Sequence, residues 1–337
     1  MATQQDEGGV LFAIAHELQQ FRLLELPPEI VELIDAPNPP LLSIKSQPAS
    51  PAATGDTAYA VLCTPDKSFQ LRQVQTSNSV FITQSALDAH GNEIPVPVVR
   101  AIASCTATLE LHLFTGSSLT YLNHALPIYD IIDGEVDAAG NGKSKAETFS
   151  HIPLSEGQCE VGWKELVAFE FMGSSYRPSP NTLSQVWKSV NSAALAEGYK
   201  LDSQFFTDDI LKALDQEGYP GDLIIAMFRH LASDDQDTSG PWSCLDQTKT
   251  AAFVGQTLLA AKRRDADYLT ADFLDTWKDH LPEKWRRAAE LKTIDGAFIL
   301  PSSTTIRAKF GVADSSTPKA DSVSRKWHEK FGKTRKR

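Results

Sequence analysis

One change of rhythm constrains this chain more than any other feature. Its apolar residues recur at every second position early on and at every third or fourth position later. Ser68–Val74 sets Phe69, Leu71 and Gln73 opposite Gln70, Arg72 and Val74, and Ala103–Phe114 sets Leu109, Leu111 and Leu113 against Glu110, His112 and Phe114. Period two is the spacing of a strand with one buried face. Beyond about residue 150 the spacing becomes helical: Leu223, Ile224, Met227, Phe228 and Leu231 share one side of a helix over Asp222–Leu231. Strands followed by helices read as an α+β chain. With 337 residues, 42% hydrophobic and 22% charged, the chain has room and composition for two or three globular domains.

The early half is predicted as short strands between irregular loops. Phe21–Leu26 is strand-like, and Pro27-Pro28 stops it and opens a short helix bearing Ile30, Val31, Leu33 and Ile34. Leu41–Lys45 is a further strand and Gln47–Thr57 a loop. Ala58–Cys63 and Ser68–Val74 form a hairpin across the turn Thr64-Pro65-Asp66-Lys67. Ser79–Thr83 is one more strand, and Gln84–Val99 reads as a loop or insertion.

Asp133–Thr148 is polar and Gly-rich, a linker candidate. Helices are predicted over Asp208–Asp215 with Thr207 as its cap, Asp222–Leu231, Gln247–Lys262, Thr270–His280 and Glu283–Leu291. A helix end, a short strand, a tight turn and a second short strand occur twice. The first copy runs through Trp163–Ser179. The second runs from Trp285 through Thr293-Ile294, Asp295-Gly296 and Phe298–Ser302. That order closes a winged helix. The predicted domains are therefore a β-rich unit at 10–130, a linker at 131–149, winged-helix units at 150–206 and 207–310, and a basic, disordered tail at 311–337.

Charge follows the same division. The net charge of -11 argues against a protein that coats nucleic acid with its whole surface. Yet Met1–Ala261 holds 14 basic and 32 acidic residues, while Pro318–Arg337 holds 8 basic and 2 acidic. An acidic body with a basic end points to nucleic acid or an acidic partner at that end, or to a nuclear-import signal. Two basic groups are DNA-contact candidates. Lys284, Arg286 and Arg287 lie on the helix of the later winged-helix pattern, with Trp285 between them read as core. Arg325, Lys326, Lys330, Lys333, Arg335, Lys336 and Arg337 share the tail with Trp327 and Phe331.

Catalytic signatures are missing. No HExxH, GxSxG or strand-following GxGxxG occurs. Asp137–Ser144 imitates a P-loop but puts Asp137 where the first glycine belongs, and its carboxylate would repel phosphate. Asp133, Glu135 and Asp137 lack the loop-closing acid of an EF-hand. His112 and His230 read as structural. The four cysteines form no CxxC, and Cys63 and Cys105 read as buried thiols of a reducing compartment. No signal peptide or membrane span is visible, so a soluble intracellular protein is expected. No metal, cofactor or catalytic residue is nominated.

Several stretches resemble one family. These are Phe21–Pro27, Leu42–Lys45, Ala60–Phe69 with its Val-Leu-Cys and Asp-Lys-Ser-Phe order, Arg72–Ser79 with Thr-Ser-Asn, Phe273–Trp277, Leu281–Glu283 and Leu291–Gly296. Together they resemble the Dcc-type sister chromatid cohesion proteins over roughly residues 10–310. The resemblance implies a non-enzymatic accessory subunit of the alternative, cohesion-specific replication factor C clamp loader. It implies an N-terminal barrel completed by the large and small cohesion-specific subunits. It implies winged helices that meet DNA and polymerase ε, action on the PCNA sliding clamp through the replication factor C core, ATP sites on other subunits, and a nuclear location. Partner contacts are then expected at Phe21, Leu23, Leu24, Val61, Leu62, Phe69, Leu71, Leu109, Leu111 and Leu113. Ser324–Trp327 resembles the start of a last winged helix, so the tail is expected to be its stub. The alternative is a free-standing winged-helix regulator that dimerises and reads bases.

Overall fold

The computed structural model describes residues 11–47, 59–88, 94–131, 142–233, 240–262 and 266–309. It is a mixed α and β structure whose large sheet curls into a half-barrel. Strands β1 (Leu11–Ile14) and β2 (Leu23–Glu25) precede helix α1 (Pro28–Ile34), which starts at Pro28 after the extended Pro27. Then come β3 (Ser43–Gln47), β4 (Tyr59–Cys63), β5 (Ser68–Asp88) and β6 (Val96–Leu113). The order is β1-β6-β5-β4-β3, and β2 pairs with β6 beyond the end of β1. The β4–β5 turn closes as predicted, with the Thr64 N–H donating to the Lys67 carbonyl at 2.9 Å.

The segment read as a loop at Gln84–Val99 is largely strand. Thr83–Asp88 pairs with Val96–Ala101. Backbone pairing overrides a composition that carries Gly91, Pro95 and Pro97. A register shift between Gln75 and Val80 inserts extra residues in β5, and one between Ile82 and Thr83 inserts Ile102 in β6. Bulges of this kind bend and twist a strand, which accounts for the curl.

The remaining described residues form three sets of similar element order. The first set is α2 (Ser118–Ala125), β7 (Ile128–Tyr129), α3 (Lys145–His151), α4 (Glu156–Glu165), β8 (Phe169–Phe171) and β9 (Ser174–Pro178), with strand order β7-β9-β8. The second is α5 (Pro180–Glu197), β10 (Phe205–Phe206), α6 (Thr207–Ala213), α7 (Gly221–Leu231) and β11 (Trp242–Ser243), with β10 paired to β11. The third is α8 (Gln247–Ala260), β12 (Tyr268–Leu269), α9 (Thr270–Asp279), two 3-10 turns (Glu283–Ala288 and Leu291–Ile294), β13 (Phe298–Ile299) and β14 (Thr305–Ala308), ordered β12-β14-β13. In the first and third sets the first strand pairs the last, and the last pairs the middle one. The second and third repeats, with the hairpin of the first, share one large core around Trp187, Phe228, Trp277 and Trp285.

Several local expectations change. Helix α3 begins inside the predicted linker, because Ser144 and Glu147 build a reciprocal capping box. Thr207 is the first helical residue of α6, not its cap. The predicted helix at Glu283–Leu291 is a 3-10 turn that breaks at Ala289, and Thr293-Ile294 belongs to the next 3-10 turn. The later hairpin therefore pairs Phe298–Ile299 with Arg307–Ala308. The sequence reading has no helix at 180–197. Yet α5 carries the Ser179 cap, the N-terminal Pro180 and the left-handed Gly198 stop.

Candidate partner and nucleic-acid surfaces

The half-barrel has little interior of its own. Its one hydrophobic cluster among the described residues holds three buried side chains, Ile30, Leu62 and Phe69, with Leu26, Leu42, Leu71 and Leu111 packed partly against them. Each fully buried apolar side chain is worth about 1.5–3 kcal/mol. Three of them are small against the backbone entropy of ordering six strands, about 1–2 kcal/mol per residue. Most large hydrophobics left exposed in the described chain lie in this region, among them Phe12 at 57%, Leu87 at 69% and Leu113 at 60%. Phe12 and Phe81 meet edge to face with centroids 6.4 Å apart, both half in solvent. Both edges are open: β3 pairs only with β4, and β1 and β2 pair only with β6. Unpaired edges are templates for strand addition.

The ten residues expected to bind partners separate on this sheet. Phe21, Leu24 and Leu113 are exposed. Leu23, Leu71, Leu109 and Leu111 are half-buried. Val61, Leu62 and Phe69 are buried within the chain's own structure, so they support the surface and do not form it. Cross-strand pairing puts Phe69 opposite Leu113 and Leu71 opposite Leu111, on the face that Ile30 of α1 covers. Leu11, Phe12, Ile14, Phe81, Leu87 and Val96 were missed. The apolar run Leu11–Ile14 was a usable signal; Leu87 and Val96 lay in the segment read as a loop.

A buried polar joint fixes the sheet to the first repeat. The Ser68 hydroxyl accepts the Ser155 N–H at 2.7 Å and donates to the Gln158 Oε1 at 2.6 Å. Lys45 Nζ donates to the carbonyls of Phe149 and Leu154 at 2.8 and 2.7 Å. The Gly157 N–H donates to the Pro65 carbonyl at 2.8 Å, a close approach in which a Cβ would lie 2.9 Å from the Asp66 carboxylate and 3.1 Å from the Pro65 carbonyl oxygen.

Lys284, Arg286 and Arg287 are exposed on the 3-10 turn, and Trp285 between them is buried, its Nε1–H directed at Asp202 Oδ2 at 3.5 Å. The three repeats differ sharply in charge. Residues 118–178 hold 9 acidic and 4 basic residues, 179–243 hold 10 and 4, and 247–309 hold 8 and 11. Arg325, Lys326, Lys330, Lys333, Arg335, Lys336 and Arg337 lie outside the described residues, as do Asp133, Glu135 and Asp137.

The titratable groups fit structural roles. Burial pushes the Cys159 thiol up to about 11 and raises Cys63 as well, so neither is a ready nucleophile. Burial lowers His230, whose Nδ1 lies 2.9 Å from the Lys164 carbonyl and whose ring packs on Phe253. Among the described residues no group of three or more His, Cys, Asp or Glu could hold a metal ion, and no helix is long and apolar enough to cross a membrane.

A family model described as the sister chromatid cohesion protein Dcc1 matches residues 21–317. The chain belongs to the Dcc1 family. Membership gives it a role in sister chromatid cohesion, as a subunit of a cohesion-related complex. The match spans β2–β6 of the open sheet and all three repeats, so the Dcc1 assignment rests on most of the architecture rather than one motif. No curated protein matches the chain closely enough to add to it.

Proposed function

We propose that this Dcc1-family chain is a non-catalytic, nuclear subunit of the alternative replication factor C clamp loader that acts on PCNA. Its half-barrel is completed by strands from the large and small cohesion-specific subunits. The observation that carries this reading is the open sheet: a three-residue cluster, two free edges and exposed Phe12, Phe81, Leu87 and Leu113. Isolated soluble domains rarely leave so much apolar surface in one region.

The order of helix, strand, helical segments and hairpin in the first and third sets, and the same order closed by a single described strand in the second, supports reading three winged helices where two and a stub were expected. The third repeat is the DNA-facing one, since it alone carries net positive charge and exposes Lys284, Arg286 and Arg287. The tail basic residues add phosphate contacts. Polymerase ε contact belongs to the same reading, through a repeat that does not touch DNA.

Affinity purification of the tagged full chain tests the assignment. Clamp-loader subunits should co-elute stoichiometrically. The triple change Phe12→Asp, Phe81→Asp and Leu87→Asp should release them. Lys284→Glu with Arg286→Glu and Arg287→Glu should keep them and weaken DNA binding about equally on unrelated sequences. Each phosphate no longer neutralised should flatten the log–log salt slope by about 0.7–0.9. A self-dimer that reads one sequence and brings no clamp-loader subunit would instead establish the free-standing regulator.

A further inference from the structure

The second repeat carries a slot that neither the proposed barrel contacts nor the proposed DNA contacts use. The slot, about 120 Å³, lies between α7 and β11; Ile225, Phe228, Ala232, Pro241 and Trp242 form its apolar wall, and Asp208 and Arg229 stand on its polar side. Trp242 remains 54% exposed although it sits edge-on to Phe206, with centroids 5.3 Å apart. At Asp208 the slot opens into a shallow depression of about 460 Å³ over α6, lined by Asp208, Leu211, Lys212 and Asp215. Among the described residues, Asp208 and Asp215 have no ion-pair partner, whereas Asp209 accepts the Tyr199 hydroxyl at 3.2 Å and lies 4.0 Å from Lys212 Nζ. The surface thus offers an aromatic wall and two uncommitted carboxylates.

We propose that residues 318–337 of the same chain dock on this surface when DNA is absent. Three observations select that occupant. The first is charge: the second repeat is the most acidic, with 10 acidic and 4 basic residues, and 318–337 hold 8 basic and 2 acidic. The second is anchoring. Trp327 and Phe331 stand four residues apart among Arg325, Lys326 and Lys330, an aromatic pair flanked by the cations that Asp208 and Asp215 would meet. The third is reach. Residues 310–326 extend up to about 55 Å at ~3.3 Å per residue. A compact chain of this size has a radius of gyration of about 20 Å. The last described residue, Lys309, belongs to the third repeat, which shares a core with the second. A tether of that length gives an effective concentration near the millimolar range, so a weak contact suffices.

The consequence is competition. The tail is also the proposed phosphate contact, so this inference rests on the DNA reading of the tail. Docking lowers the fraction of tail free for DNA and weakens apparent affinity by that fraction. DNA, with far denser charge, displaces the tail and releases the Trp242 surface.

The test uses the full chain labelled with ¹⁵N at tryptophan, with Ser324→Cys carrying a nitroxide in a Cys244→Ser background. The Trp242 indole signal, assigned with Trp242→Phe, is read at about 50 mM salt. The expected result is loss of more than half of its intensity relative to the reduced label, while Trp187, Trp277 and Trp285 report an intact core. Intensity should return at about 0.5 M salt, where screening shortens to a few ångströms, and with Asp208→Asn plus Asp215→Asn. No broadening of Trp242 at low salt overturns the docking. Salt-sensitive DNA binding without broadening leaves the DNA reading standing and removes this one. Broadening that salt reverses but duplex DNA does not keeps the docking and removes the tail as the DNA contact.

Discussion

Ser68→Ala removes the one side chain that, among the described residues, bonds the half-barrel to the capping box of α4. Ser68 is fully buried, and its hydroxyl makes two short bonds, accepting from Ser155 N–H and donating to Gln158 Oε1. Its removal is only partly covered. Gln158 Oε1 keeps the Ser155 hydroxyl at 3.0 Å, but the Ser155 N–H falls back on a 3.3 Å approach to the same oxygen. Deleting a buried hydrogen bond costs about 0.5–1.5 kcal/mol, and a poorly satisfied buried donor adds part of a further 1–3. The expected destabilisation is about 2 kcal/mol. For a chain of 337 residues an unfolding entropy of about 2.1 cal/mol/K per residue converts that to roughly 3 °C in Tm. Scanning fluorimetry on the purified complex measures the shift, and hydrogen exchange at the Ser155 amide localises it. Ser150→Ala, which removes an exposed hydroxyl, is the control. A Tm within about 0.5 °C of the parent and unchanged exchange at Ser155 would refute the claim that this joint couples sheet and repeats.

Gly255→Ala should destabilise by about 1–2 kcal/mol despite the gain in helix propensity, because the new Cβ would lie 2.5 Å from two ring carbons of the fully buried Trp277; urea titration of the single change and of its pair with Trp277→Phe should show the pair costing less than the two changes summed. Cys159, with its thiol raised by burial to about 11, should resist iodoacetamide at pH 8 while the half-buried Cys244 reacts first, as read by peptide mass spectrometry; faster labelling of Cys159 contradicts its burial. Because burial lowers the His230 pKa, the unfolded chain binds the proton more readily: its contribution to stability is full above about 6.5 and is lost as pH falls through the lower folded value, and an NMR titration midpoint at or above 6.5 would count against it.

The sequence by itself determined the order of strands before helices, the turn at Thr64–Lys67 and the helix after Pro27. Each is set by nearest-neighbour chemistry: alternation of apolar residues, or the fixed φ of a proline. The same local signals placed Trp285 inside and Lys284, Arg286 and Arg287 outside. What they could not give was pairing across distance. Gln84–Val99 looked like a loop because its residues name no buried face, yet it pairs through backbone groups common to every residue. Val61, Leu62 and Phe69 looked like contact residues because an apolar alternation says which side is buried and not what buries it. Here α1 and the sheet itself cover Leu62 and Phe69, and Val61 is buried on the other face of its strand, while Phe12, Phe81 and Leu87 stay open. The three-fold repetition was hidden for a related reason: its strands are two to five residues long, too short to announce themselves, and they exist only because the last strand of a set returns to pair with the first.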